Sequence, residues 1–405
     1  PMSAAPNMPT VMMTAPALGG AAAAQNRRAT VLPRIAIKDN ALALQQTNLD
    51  RYQLLRRLGA GAMGEVSLEH DNDIGRTVAV KRLTADSDNV DGLVRFIAEV
   101  QTIGQLEHPN IVPIHDVGLD QDGKYYFVMK YVDGETLETI IYRLAAGDAE
   151  YHARYPFEMR LEIFLGLLHA LQYAHDQGVV HRDIKPANVM IGRYGEVVLM
   201  DWGIAKQIRG STVLPPAHAH TNPELLDPKA RLFSTRNDQC VGTPAYMSPE
   251  QAMGQNDQID ERSDIYSATV LLHELLALRH YLAEHDTYQG LMVAINTVPM
   301  TYTRLLFNHH PDFPAPRAEL LHIIAKGLAK DPAQRYQSAL EMTGELQRAI
   351  DGRCRVSCPA TTAKRLLREV GRFVDRYPLA SPFFFYAGML VIVVSILFTF
   401  YSIIR

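Results

Sequence analysis

The order of hydrophobic and polar positions changes twice along this chain. Residues 1–50 hold no lasting period of 2 or 3.6. Small residues and prolines dominate them, as in SAAPNMPTVMMTAPALGGAAAA, which predicts a disordered lead-in. From Tyr52 the texture is that of strands. YQLLRRLGAGAMGEVSLEHD reads as strand, glycine-rich turn, strand, and in RTVAVKRL Val78 and Val80 alternate against Lys81. DGLVRFIAEVQTIGQL places Leu93, Phe96, Ile97, Val100 and Ile103 at helical spacing. NIVPIHDVGL and YYFVMKYV read as two further strands joined by a turn at Asp122-Gly123.

After Gly134 the period becomes helical. FEMRLEIFLGLLHALQYAHDQG predicts a long buried helix ending at Gly178. RSDIYSATVLLHELLAL predicts another, with Ser263 as its N-cap. ELLHIIAKGLAKDP and SALEMTGELQRAID close the unit near Gly352. Strands first and helices after imply an α+β protein in two lobes, a smaller one over 51–132 and a larger one over 133–352. No internal repeat with a period of 20 to 50 residues is present.

Two segments follow. Residues 353–381 are basic: up to Tyr377 they hold Arg353, Arg355, Lys364, Arg365, Arg368, Arg372 and Arg376 against Glu369 and Asp375. Leu366, Leu367, Val370, Phe373, Val374 and Tyr377 share one helical face, so the stretch reads as an amphipathic helix suited to an anionic leaflet or as a solvated linker. Phe383 to Ile404 is 22 residues without a charge. A helix of that length spans about 33 Å, enough for a bilayer core, so 382–404 is predicted to be a transmembrane helix. Positive charge beside a span marks the cytoplasmic side. The expectation is a single-pass protein of the cell (inner) membrane with its large domain in the cytoplasm. No secretory signal is expected at the start of the chain.

Composition adds little except by exclusion. The chain has 405 residues, 47% hydrophobic and 21% charged, as globular proteins do. Its net charge of −4 gives no reason to expect a nucleic-acid partner. Three cysteines are too few for a disulfide framework and fit a reducing compartment; Cys354 and Cys358 lack the companions of a zinc site.

The chemistry lies in three motifs. Gly59, Gly61 and Gly64 punctuate a turn between strands, ahead of Val66. Without Cβ atoms, such a turn can lay backbone N–H groups over phosphates, although a flexible surface hairpin looks similar. Lys81 then sits on a strand and Glu99 on the following helix, a pair able to hold an ammonium over phosphates. The third is His181-Arg182-Asp183-Ile184-Lys185-Pro186-Ala187-Asn188, followed later by Leu199-Met200-Asp201-Trp202-Gly203. Mg²⁺ prefers oxygen ligands beside phosphates, which Asn188 and Asp201 supply, leaving Asp183 to take or orient a hydroxyl proton.

These motifs together resemble the eukaryotic-like (Hanks-type) serine/threonine protein kinases of bacteria, over roughly Tyr52 to Asp351. The likeness extends to Gly242-Thr243-Pro244-Ala245-Tyr246-Met247-Ser248-Pro249-Glu250, to Asp264 on a core helix and to Arg335 in DPAQRY. It implies a two-lobed protein-kinase-like fold with a β-rich N-lobe and a helical C-lobe. It implies ATP with Mg²⁺ or Mn²⁺, protein substrates, autophosphorylation and a homodimer for trans-autophosphorylation. Val66, Ala79 and Met190 would enclose adenine, and Met129 would precede a hinge of Lys130, Tyr131 and Val132. His181 and Trp202 would stack with Ile103 and Ile114, and Glu250 would pair with Arg335. Lys185 would neutralise charge on the migrating group. Arg182 would dock a phosphate placed at Ser234 or Thr235 of the long segment 201–250, with Thr243 in the peptide platform beyond.

The chain departs from the family at Trp202, where Phe is usual and where a buried indole N–H needs a partner. Lys130 is unusual in a hinge, and about Gln207 to Gln239 forms an insertion rich in Pro, His, Ser and Thr. Two other readings stay open: a pseudokinase scaffold, against which the full set of catalytic positions speaks, and a small-molecule phosphotransferase, against which the Gly242–Glu250 platform speaks.

Overall fold

The computed structural model describes residues 30–32, 34–38, 41–45, 49–61, 64–83, 90–120, 122–202, 206–207, 244–285 and 287–351. Most of the lead-in, Ser234, Thr235, Thr243, the basic segment and the expected span 382–404 lie outside them. Among the described residues no helix is long and apolar enough to cross a membrane.

The chain divides into two compact units, residues 1–88 with 115–131 and residues 89–114 with 132–405. In the first, β1 (Arg34–Lys38) pairs antiparallel with β2 (Ala41–Gln45). This departs from the expected lead-in without structure: RIAIK and ALALQ each alternate over only five residues, too short a run to stand out beside the Ala-rich stretch before them. A five-stranded sheet follows, built from β3 (Tyr52–Gly61), β4 (Gly64–Asp71), β5 (Arg76–Arg82), β6 (Ile114–Leu119) and β7 (Tyr125–Lys130) in the order β3-β4-β5-β7-β6.

The strand period of 2 sorts this sheet into two faces. Val78 and Val80 join Tyr52, Tyr126 and Val128 in a buried cluster on one. The other carries Val66 opposite Lys81, Lys81 opposite Phe127 and Ala79 opposite Met129. Thus Val66, Ala79, Lys81 and Met129 share one face because Val78 and Val80 claim the other.

The second unit holds α1 (Val90–Ile103), β8 (Gly134–Thr136), α2 (Leu137–Ala145), α3 (Ala149–Arg154), α4 (Phe157–Asp176) and β9 (Val179–Val180). Strands β10 (Val189–Gly192) and β11 (Val197–Leu199) pair antiparallel, and β12 (Lys206–Gln207) pairs with β9. Then come α5 (Pro249–Ala252), α6 (Glu261–Ala277), α7 (Tyr288–Thr297), α8 (Tyr302–Phe307), α9 (Ala318–Gly327) and α10 (Ala339–Ile350).

Helix α6 is the axle of this unit, buried at every position from Ser263 to Ala277 except Glu274. Its N-cap is Asp260, whose carboxylate accepts from Arg262 N, rather than Ser263 as expected. Ser263 lies inside the helix because its hydroxyl is engaged elsewhere, donating to Glu250 at 2.6 Å. Helix α4 ends as predicted, with Gly178 at φ 73°. On α1, Phe96 and Ile103 are buried, but Ile97 is 41% exposed: the helical stripe is narrower than the five apolar positions implied.

Candidate active site

The loop between β9 and β10 is fixed from below by one carboxylate. Asp264, in the first turn of α6, is 1% exposed. Its Oδ2 accepts from His181 N and its Oδ1 from Arg182 N, each at 2.8 Å, and His175 Nε2 adds a contact at 2.9 Å. Burial alone would raise the Asp264 pKa; His175 and these donors outweigh it and hold the carboxyl below its ordinary value. Arg182 stands at φ 71°, a left-handed conformation that costs an arginine about 1 kcal/mol or more. Both its backbone polar groups are pinned: the N–H by Asp264, the carbonyl by Gln251 Nε2 at 2.7 Å.

That strained turn delivers Asp183. Its Oδ2 accepts from Lys185 Nζ at 2.7 Å and from Asn188 Nδ2 at 3.1 Å. Asn188 Nδ2 also donates to the Asp183 carbonyl at 2.8 Å, so the amide nitrogen faces the loop and its oxygen is the group left for a cation. Asp183 Oδ1 makes no hydrogen bond among the described residues, and the side chain is 31% exposed. One carboxylate oxygen is held and the other is open.

His181 couples this loop to the one after β11. The Met200 carbonyl can only accept, so the ring proton sits on Nε2, at 3.0 Å; Nδ1 then accepts from Asp183 N at 3.2 Å. The ring packs on Trp202 with centroids 4.5 Å apart. Met200 N also donates to the Asn188 carbonyl at 2.9 Å. Asp201 follows at φ 61°. The two expected cation ligands, Asn188 and Asp201, thus lie on segments cross-linked by backbone hydrogen bonds. The Trp202 indole N–H, expected to find a partner, has none among the described residues although the ring is 1% exposed.

In the peptide-platform region Ser248 caps α5 in a capping box with Gln251. Glu250 meets Arg335 through two parallel bonds of 2.8 Å, both groups almost fully buried. The remaining Arg335 donors reach the carbonyls of Ala329, Arg262 and Lys330. Burial pushes the Glu250 pKa up, but Arg335 and Ser263 overcome it and the net shift is downward. The Tyr246 hydroxyl donates to Glu274.

The first unit carries the glycine-rich turn. A Cβ on Gly64 would lie 2.2 Å from the Arg82 carbonyl, so the fold itself demands glycine there. A Cβ on Gly59 would meet nothing within 4 Å, so the fold makes no such demand; the open space suits close approach by a phosphate. Lys81 Nζ lies 5.7 Å from the Phe127 ring centre. Lys81 and Tyr131 are half-buried; in the second unit Val132 and Glu99 are buried and Met190 is half-buried.

Sequence reasoning missed His175 and Gln251, which hold the loop from outside its motif, and Asn256, which accepts from Arg182 Nη2 at 2.9 Å. The one available signal was His175 itself, an ionisable residue in the last turn of a helix whose buried positions beyond Arg160 are apolar.

The protein kinase domain family matches residues 52–344. A probable serine/threonine-protein kinase of Streptomyces coelicolor is 37% identical over 82% of this chain and 44% of its own length. The serine/threonine-protein kinase PknD of Protochlamydia amoebophila is 33% identical over 77% of this chain and 31% of its own. The serine/threonine-protein kinase PknB of Mycobacterium leprae is 35% identical over 75% and 43%. The chain spans less than half the length of these curated relatives. With the geometry above, the match places the chain in the protein kinase domain family.

Proposed function

We propose that this protein transfers the γ-phosphoryl group of ATP to serine and threonine hydroxyls of protein substrates and of its own segment 201–250. The observation that carries the reading is the division of Asp183: Oδ2 is held by Lys185 and Asn188, and Oδ1 is open to accept a hydroxyl proton. Such a group needs position more than unusual basicity, because the transition state of phosphoryl transfer is loose. Asn188 Oδ1 and Asp201 are oxygen donors suited to Mg²⁺ or Mn²⁺, which would neutralise phosphate charge. Lys185 balances charge on the migrating group. By resemblance, Lys81 and Glu99 are assigned to the α and β phosphates, and the turn at Gly59, Gly61 and Gly64 to covering them. By resemblance, Val66, Ala79, Met129, Tyr131, Val132 and Met190 are assigned to adenine.

The reading extends to a membrane kinase. The uncharged run 383–404 and the seven basic residues before it support a single span with the kinase domain in the cytoplasm, where ATP is. A homodimer would permit phosphorylation in trans. The enzymatic proposal is tested by incubating the protein with radiolabelled ATP, Mg²⁺ and casein, followed by phosphoamino-acid analysis. Phosphoserine and phosphothreonine are expected; label absent from both casein and kinase would support the scaffold reading, and phosphotyrosine alone would overturn the acceptor class.

A further inference from the structure

Within the second unit, away from the catalytic loop, lies a cavity of about 370 Å³, at the low end of the size of small-molecule sites. Its walls are apolar, from Phe157 at the start of α4, Leu276 and Leu278 at the end of α6, and Phe313 in the loop before α9. Arg160 also lines it, though only 8% exposed. Two of its three nitrogens are used. Nε donates to the Tyr155 carbonyl at 2.9 Å, and Nη2 lies 3.3 Å from His152 Nδ1. His152 Nε2 lies 2.9 Å from the Leu144 carbonyl, which can only accept, so Nε2 carries the proton and Nδ1 is the acceptor for Arg160.

Nη1 makes no hydrogen bond and Arg160 no ion pair among the described residues. Burial accordingly pulls the guanidinium pKa below its ordinary value with no carboxylate offsetting it. The neighbouring cation is compensated: Arg317, 4.4 Å over the Phe157 ring, is paired with Glu158 at 2.9 Å. A buried arginine without an acid is uncommon, because the desolvation of its charge is normally met by a counter-ion. Leu278 at the cavity wall is itself strained, at φ 52°.

We propose that this cavity is a binding site for a small amphipathic carboxylate, the carboxylate meeting Arg160 and the apolar body lying between Phe157, Leu276, Leu278 and Phe313. Arg317, the second guanidinium of the lining, already has Glu158 as its counter-ion, so the uncompensated charge is that of Arg160 alone and suits a monoanion. The fit rests on charge complementarity and does not depend on the catalytic proposal.

The test is isothermal titration of phenylbutyrate, and of its uncharged analogue phenylbutyramide, into the purified full chain. Saturable binding of the acid, about tenfold tighter than the amide, is expected from one charge-assisted hydrogen-bonded pair. Arg160→Gln should remove the preference for the acid. Should that variant not fold, Ala315→Trp fills the cavity while leaving Arg160 in place and should abolish binding of both compounds. Equal affinity for acid and amide, no saturable binding of the acid, or unchanged binding to Ala315→Trp would each overturn the proposal.

Discussion

Asp183 is the residue on which the proposed chemistry turns. Asp183→Asn keeps the side-chain shape and lets one oxygen still accept from Lys185, but it removes the group that receives the hydroxyl proton. Transfer should fall by about 10²-fold or more, with nucleotide affinity within a few-fold of wild type, as read by initial rates and a nucleotide titration. A variant that keeps a tenth of the wild-type rate would shift the role elsewhere. Arg335 is a different kind of residue, remote from the reacting atoms. Arg335→Met strands the buried Glu250 carboxylate, and an unpaired buried charge costs about 3–5 kcal/mol. Urea denaturation should show that loss, and Arg335→Met combined with Glu250→Leu should recover much of it, since the double change leaves no charge unpaired.

At the scale of elements, α6 links stability to the site. Asp264→Asn can still accept at its oxygen but offers an NH₂ where His181 N or Arg182 N now donates, so one backbone donor meets another. The strained Arg182 turn should relax, and kcat should drop at least about tenfold with KM for ATP little changed. The same helix carries His273, fully buried and held at about pKa 3; His280, three residues past the helix, is held at about 4. In both, burial is the main cause and it disfavours the charged form. Above the ordinary histidine value of 6.5 neither folded nor unfolded chain is protonated there, and nothing is lost. As pH falls below it, the unfolded chain takes up protons that the fold excludes, so stability declines until the folded values are reached. At pH 5 each histidine should have removed about 2 kcal/mol relative to pH 7.5. Urea midpoints at the two pH values measure it, and His273→Leu should reduce the difference by about half.

For the whole molecule, the predictions concern the segments flanking the described domain. If Arg182 docks a phosphate, mass spectrometry of active enzyme should find one between Gln207 and Thr243, with Ser234 and Thr235 foremost; an unmodified but fully active segment would end that idea. If 382–404 spans the membrane with the basic segment inside, protease added to sealed cells should leave residues 52–351 intact. Digestion of the domain from outside would reverse the orientation.

The motif residues were readable from the chain because their chemistry is local: Asp183, Lys185 and Asn188 sit within one turn and a short helix, so sequence spacing nearly equals spatial spacing. The strand period likewise settled that Ala79 and Lys81 share a face. Glu250 with Arg335 could be named only through resemblance, since 85 residues separate them and no periodicity carries a pairing over that distance. What tertiary structure alone decided is which groups hold the motif: His175 and Gln251 on the Arg182 turn, Asp260 rather than Ser263 at the start of α6, and the cavity that gathers Arg160, Leu278 and Phe313. Each depends on how helices pack, and packing is set by the shapes of many side chains together. A polar residue engaged by a distant partner looks, along the sequence, like any other polar residue.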